Sequence, residues 1–296
     1  MGVFRFKRFE VVNERSAMKV NTDGVLLGAA MTIKPSDRRL LDIGTGTGTI
    51  ALMAAQRFLD FARNDSGDTR NDSGDTRNDR GDARNDSGDA RNDRGDTLND
   101  SGDTLNDSGD TRNDSRDFVI NAIDIDAISA EEAAINFSNS PWAEHLQAHR
   151  ASLDEYAASL GEDETFDLIF SNPPYFDDSL NAPELRRNNA RHTSTGLSYR
   201  EILDFAAGSL SDHGRVAMVL PSDVEAPLCR HARMNGLYIF RILRIRTVER
   251  KQPSRIIAEF SRTRCESPED EILTIQKEGR YSHEYLALTH GFYLFA

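Results

Sequence analysis

Cysteine is scarce in this chain: its 296 residues include two, Cys229 and Cys265. They show neither metal-site spacing nor a disulfide framework, so a reducing cytoplasm is the default compartment. No apolar run approaches membrane-spanning length. The stretch from Met1 to Glu10 mixes Phe with Arg and Lys and lacks the apolar core of a signal peptide. Positive charge is also in short supply. The net charge of −13 argues against a general nucleic-acid binder. These absences point to a soluble, intracellular protein with no membrane partner.

The charge is unevenly spread. Residues 63–116 form a seven-residue tandem repeat, Arg-Asn-Asp-Ser-Gly-Asp-Thr, in eight copies of which the last is truncated, and carry 15 Asp against 9 Arg. This segment has almost nothing apolar to bury and is expected to be a disordered, solvated loop. It lacks the spaced ligands and terminal Glu of an EF-hand loop. Setting it aside leaves 242 residues, enough for one α/β domain with a sizeable core. Residues 230–264 have the opposite bias, with ten Lys and Arg against Glu249 and Glu259. That local excess is a candidate phosphate-facing surface.

Three stretches carry chemistry. In the first, Arg39-Leu40-Leu41-Asp42-Ile43-Gly44-Thr45-Gly46-Thr47-Gly48-Thr49-Ile50, a strand runs into a glycine-rich turn and then a helix from Ile50 to about Phe58. Glycines at 44, 46 and 48 let backbone N–H groups approach a ligand at a helix amino terminus. The third glycine comes one residue too early for a dinucleotide fingerprint. Asp42 would repel a pyrophosphate, but suits a cationic ligand such as the amino-acid end of S-adenosylmethionine.

The second stretch, Phe118 to Asp124, is a strand ending in an acidic residue. With the 54 residues of the repeat discounted, Asp124 lies 28 residues beyond Asp42, a βαβ spacing. A carboxylate there can hold ribose hydroxyls.

The third stretch is Phe166 to Tyr175. Its first half reads as a buried strand, which Pro173 and Pro174 stop abruptly. The stiff turn presents the amide of Asn172, a carbonyl that no helix consumes, and the aromatic face of Tyr175. The Asn172 oxygen and a proline carbonyl can each accept one hydrogen of an exocyclic amino group while Tyr175 stacks on its ring.

The remaining pattern alternates strands and helices. Met18 to Ala29 reads as a turn entering a short helix, with Asn21, Thr22 and Asp23 as its cap. A helix is expected over Ile128–Phe137 and a third strand over Leu146–Leu153. Residues 176–198, with Arg186, Arg187, Arg191 and His192, read as a mobile loop over the site. A helix over Tyr199–Leu210, a strand over Arg215–Leu220, a helix over Val224–Met234 and a strand pair at 238–247 and 255–261 complete the chain. The expected fold is α/β: a doubly wound, mainly parallel sheet with an antiparallel edge strand.

Asp42-Ile43-Gly44-Thr45-Gly46-Thr47-Gly48, Asp124 and Asn172-Pro173-Pro174-Tyr175 together resemble a class I, Rossmann-like S-adenosylmethionine-dependent methyltransferase of the amino-group type, whose sheet has seven strands. More narrowly, the chain resembles the tRNA(Val) adenine-N6 methyltransferases, which modify the adenosine just 3′ of the anticodon, tRNA position 37. The narrower resemblance rests on Phe4-Arg5-Phe6-Lys7, Met18-Lys19-Val20 with Thr22 to Gly28, Asn139 to Glu144, and Ala287-Leu288-Thr289 with Phe292 to Phe295. It covers essentially the whole chain as a single domain, 1–296, apart from the insert.

The resemblance implies a role for each residue of the motifs. Asn172, Pro173, Pro174 and Tyr175 would be catalytic. Asp42, Gly44, Thr45, Gly46, Gly48, Asp124, Ile125, Ser152, Leu153 and Asn172 would hold the cofactor. Ser152 stands where the family has an Asp facing the cofactor adenine, and Asp154 is the alternative. Lys19, Thr22, Asp23, Arg187, Arg191, Arg246, Arg250 and Lys251 would face tRNA, the implied partner. No metal is implied and no obligate protein partner is evident. The Asn-Pro-Pro-Tyr turn is shared with glutamine-N5 protein methyltransferases and rRNA guanine-N2 methyltransferases, which are the alternative readings.

Overall fold

The computed structural model describes residues 2–67, 118–174 and 197–294. Its centre is β3 (Arg39–Ile43), a strand apolar on both faces: Leu40 belongs to one hydrophobic core and Leu41 to the other. The same alternation splits Leu168 from Ile169 on β6 (Phe166–Ser171) and Ala217 from Met218 on β7 (Leu210–Pro221). Side chains of period two on strands covered on both sides require helices on both faces. One face packs α1 (Thr22–Ala30), α2 (Thr49–Gly67), α3 (Ala127–Ser138) and α7 (His283–Thr289). The other packs α4 (Leu153–Ser159), α5 (Tyr199–Ser209) and α6 (Glu225–Met234).

The sheet has nine strands, in the order β11 (Arg280–Tyr281), β10 (Glu269–Lys277), β8 (Tyr238–Val248), β9 (Arg255–Ser261), β7, β6, β3, β4 (Val119–Asp124) and β5 (Leu146–Arg150). The doubly wound reading holds, and β10 and β11 extend the seven strands legible in the sequence. The antiparallel strand β9 lies between β7 and β8 rather than at the edge, where β11 turns back on β10. A separate hairpin pairs β1 (Val3–Arg5) with β2 (Glu10–Val12).

Several boundaries differ from expectation. The third strand ends at Arg150, because Ser152 caps α4 in a capping box with Glu155. Helix α2 continues past Phe58 to Gly67, into the first repeat copy; the repeat from residue 68 onward lies outside the described residues. The cap of α1 is as expected, with the Asn21 side chain accepting from the Gly24 N–H.

In register, Ile43 pairs with Ser171 on one side and Ile123 on the other, so β3, β4 and β6 end level. Strand order reverses at this point, which is where open α/β sheets bind ligands. The opposite edge is tied down by buried charge. Glu259 accepts from Arg241 (2.7 Å) and from the Thr32 N–H (2.9 Å), and Arg215 pairs with Asp37 at 2.6 Å.

Candidate active site

The turn after β3 needs glycine at three places for two reasons. Gly44, Gly46 and Gly48 have φ of 71°, 57° and 79°, the left-handed region that favours glycine. A Cβ on Gly48 would lie 2.4 Å from Cε1 of Phe137, so that glycine lets α2 pack against α3. A Cβ on Gly46 would meet nothing within 4 Å, so its bare backbone faces open space. The Gly46 N–H donates to Asp124 Oδ2 at 2.8 Å, and the N–H groups of Gly44 and Thr45 donate to the Ile123 carbonyl at 2.9 and 3.0 Å. The turn is thus bound to the end of β4, and Asp124 is held beside it.

Asp42 is fully buried at the base of this turn. Oδ2 accepts from the Thr45 hydroxyl at 2.7 Å, while Oδ1 is buried with no hydrogen-bond partner. Burial pushes its carboxyl up to about 7, opposed by the Thr45 hydrogen bond and reinforced by the charge of Asp124. Burial also raises the Asp124 carboxyl, against N–H donors from Asp126 and Gly46. A buried carboxylate oxygen without a partner costs free energy that a bound cation returns.

The raised value sets a sign. A ligand bearing an ammonium group binds the ionised Asp42 better, so affinity rises as pH climbs through 7. S-adenosylhomocysteine, measured by calorimetry from pH 6 to pH 8, is expected to bind about tenfold more tightly at the upper value. D42N should flatten that profile; an equal slope in the variant would refute the assignment. Stability runs the other way. The folded protein holds a proton that the unfolded chain releases, so this group's contribution falls as pH rises from the ordinary Asp range to about 7, then levels off.

Asn172 follows β6 and is 7% exposed; Ser171 before it fixes the strand end by donating to the Ile43 carbonyl at 2.7 Å. Pro173 is buried and Pro174 half-buried. One cavity joins Asn172 to the glycine turn (Gly44, Thr45, Gly46, Thr47) and, opposite, to the segment Met18 to Asn21. Ile125, just past Asp124, is 66% exposed, an unpacked apolar side chain beside the ligand edge. Ser152 gives its hydroxyl to capping, accepting from the Glu155 N–H at 3.2 Å, and Leu153 packs its side chain against the core. Tyr175, Arg187 and Arg191 lie outside the described residues, as does all but the end of the loop expected at 176–198. Met18, Val20 and Asn21 were legible as a turn; only the fold brings them against the glycine loop.

The residues expected to face RNA divide. Lys19 is exposed, yet its ammonium donates to the carbonyls of Asn13 and Glu14 at 3.0 and 2.9 Å, and Asp23 is paired with Arg255 at 2.9 Å. Thr22 is exposed at the start of α1. Arg250 and Lys251 are exposed in the β8–β9 turn, which the antiparallel pairing places at the ligand edge. Arg246 supports that turn, donating to the Glu249 carbonyl at 3.0 Å and to Thr274 Oγ1 at 2.8 Å.

The basic stretch 230–264 is therefore not one phosphate-facing surface. Arg241, Arg244 and Arg255 are spent on acidic partners remote in sequence: Arg241 on Glu271, Arg244 on Glu225 and Asp270, Arg255 on Asp23. Arg262, just past β9, donates to the carbonyls of Ala207 and Leu210. Among the described residues no group of three or more His, Cys, Asp or Glu could hold a metal, and no helix is long and apolar enough to cross a membrane.

A mostly parallel sheet with this strand order, a glycine turn after its central strand and Asn-Pro-Pro ending the adjacent strand define a class I methyltransferase acting on an amino group. The fold is similar to the crystal structure of a predicted O-methyltransferase from Agrobacterium tumefaciens, with a TM-score of 0.54 at 14% identity over 91% of this chain and 96% of that one. No protein-family model matches the chain. It is 34% identical over 292 residues to the tRNA1(Val) (adenine(37)-N6)-methyltransferase of Parabacteroides distasonis, covering 98% of this chain and 97% of that protein. The protein of the same name from Bacteroides fragilis is 33% identical over 291 residues, with 98% and 97% covered. The chain belongs to the tRNA1(Val) (adenine(37)-N6)-methyltransferase family.

Proposed function

We propose that this protein transfers a methyl group to N6 of adenosine 37 in tRNA(Val), with Asn172 as the residue that grips the amine. The observation carrying the residue assignment is the cavity shared by Asn172, the glycine turn and the segment Met18 to Asn21; Asp42, with its unpartnered oxygen, precedes that turn by two residues. Family membership supports the substrate. The cofactor is S-adenosylmethionine, which supplies a methyl on a sulfonium when bound, an electrophile that needs no metal.

The open backbone of Gly46 and the Asp42 oxygen suit its amino-acid end, Asp124 its ribose hydroxyls, and Ile125 and Leu153 the rims of its adenine. Ser152, committed to its cap, has a hydroxyl oxygen with limited capacity left, and Asp154 stands beside it on α4. The target adenine, turned out of its stack, gives one N6 hydrogen to Asn172 Oδ1 and the other to the Pro173 carbonyl, with Tyr175 against its ring. Two acceptors draw the nitrogen lone pair out of conjugation and orient it, so catalysis is by positioning. Once methylated, the nitrogen is acidic; the same oxygens hold the departing proton until water takes it. Arg250 and Lys251, with Thr22, Arg187 and Arg191, meet RNA phosphates. The enzyme works in the cytoplasm without an obligate protein partner.

Transfer of labelled methyl to tRNA lacking the native modification, followed by nucleoside mass analysis, tests this reading. N6-methyladenosine at position 37 is the expected product. Label in a protein glutamine or in guanosine would keep the chemistry of the turn and overturn the substrate.

A further inference from the structure

Helix α3 carries three polar side chains on one face, Ser129, Glu132 and Asn136, spaced three and four residues apart. All three are buried, Glu132 and Asn136 to 1% exposure. Ser129 and Glu132 hold the segment between β2 and α1, residues 13–21, which runs from the amino-terminal hairpin to the cavity, and Asn136 holds the end of β2 just before it. Glu132 Oε1 accepts from the N–H groups of Glu14 (3.1 Å) and Arg15 (2.6 Å), and Oε2 from that of Ser16 (2.8 Å). Burial alone would push this carboxyl up; the three backbone donors more than offset it and hold it below the usual carboxylate range. The hydroxyls of Ser16 and Ser129 meet at 2.9 Å.

Asn136 reaches further. Its oxygen accepts from the Val12 N–H at 2.7 Å, and its amide donates both to the Val12 carbonyl (3.0 Å) and to the Thr47 carbonyl (2.9 Å). Thr47 belongs to the glycine turn. One helix face therefore grips two segments that line the cavity: the 13–21 strap, whose end from Met18 to Asn21 reaches it, and the glycine turn. The Lys19 ammonium, bound to the Asn13 and Glu14 carbonyls, closes the strap on itself.

We propose that Glu132 and Asn136 are positioning residues that set the separation of strap and glycine turn, and with it the affinity for the methyl donor. This rests on the S-adenosylmethionine reading above. The bland alternative is that they only fasten the amino terminus, in which case their loss lowers stability and leaves ligand affinity alone. The two accounts differ in what is measured. Loss of preorganisation appears in binding, whereas Asn172, across the cavity, keeps its turn and hence its turnover at saturation.

The test is calorimetric binding of S-adenosylhomocysteine, which needs no RNA. E132A is expected to weaken binding about tenfold and to raise KM for the methyl donor alike, with kcat within about threefold of the parent. E132Q keeps Oε1 for residues 14 and 15 but presents an amide to the Ser16 N–H, and should fall between. N136D keeps the acceptor for Val12 and sets an oxygen against two carbonyls, so it should weaken binding as well. Hydrogen exchange at amides 14–16 should quicken in E132A. L228A, which opens the core on the opposite face of the sheet, serves as the stability control and should leave affinity unchanged.

Unchanged affinity in E132A with amides 14–16 released would overturn the proposal, as would an equal loss in L228A at matched melting temperature. A parent protein that binds the ligand and shows these shifts without methylating tRNA would sink the substrate reading alone. A parent that does not bind it at all would sink both.

Discussion

Replacing Asn172 with Ala is expected to lower kcat by about 10³-fold, the scale set by removing one preorganised hydrogen-bonding group from a water-poor site. S-adenosylhomocysteine affinity should stay within about threefold of the parent, because on the proposed reading other residues hold the donor's amino-acid end and ribose. The turn should survive the change, since Pro173 and Pro174 fix their own backbone and the Ser171 hydroxyl stays on the Ile43 carbonyl. Single-turnover methylation and calorimetry read the two quantities separately. A variant that turns over at a tenth of the parental rate or better would show that the amide is not what grips the amine.

The second large effect separates two glycines two residues apart. G48A should cost about 3 kcal/mol of stability, combining left-handed strain with overpacking against the Phe137 ring. For a domain of this size that is a fall of about 10 °C in melting temperature. G46A carries similar backbone strain but no clash, so its stability loss should be about 1 kcal/mol. Its cost should appear in ligand binding, as a loss of about tenfold or more, because the methyl would occupy the space left open for the donor. Thermal melts and calorimetry on the pair decide the matter. A G46A protein that binds normally would show that the open face of Gly46 is not the ligand's place.

Much of this site could be read before any fold was known, because its signals are local. Asp42 and the three glycines lie within seven residues of one another, and Asn172-Pro173-Pro174 are consecutive. Strand β9 was also legible to its ends, since Arg255 and Ser261 bound a run that is apolar but for Glu259. What escaped depends on contacts distant in sequence. Glu132 lies in the helix expected over Ile128–Phe137, but only the chain folding back from 116 residues away makes it a buried acceptor. Arg255 reads as a free cation until its partner 232 residues earlier is known. The end of the third strand was missed for a different reason. The capping box with Glu155 is a local pattern, but the expected strand was extended over it, and Ser-x-x-Glu should have ended that strand at once.

The antiparallel placement of β9 has a further consequence. β8 runs parallel to β7 and β9 runs back against both, so the turn bearing Arg250 and Lys251 lies at the ligand edge. From that turn to the end of β6 the path runs through hydrogen-bonded strands, β8 to β9 to β7 to β6. At roughly 4.8 Å per strand, three steps make a ruler of about 14 Å. A polyanion held at one end of that ruler would reach Asn172 at a set distance along its own backbone, whatever its sequence.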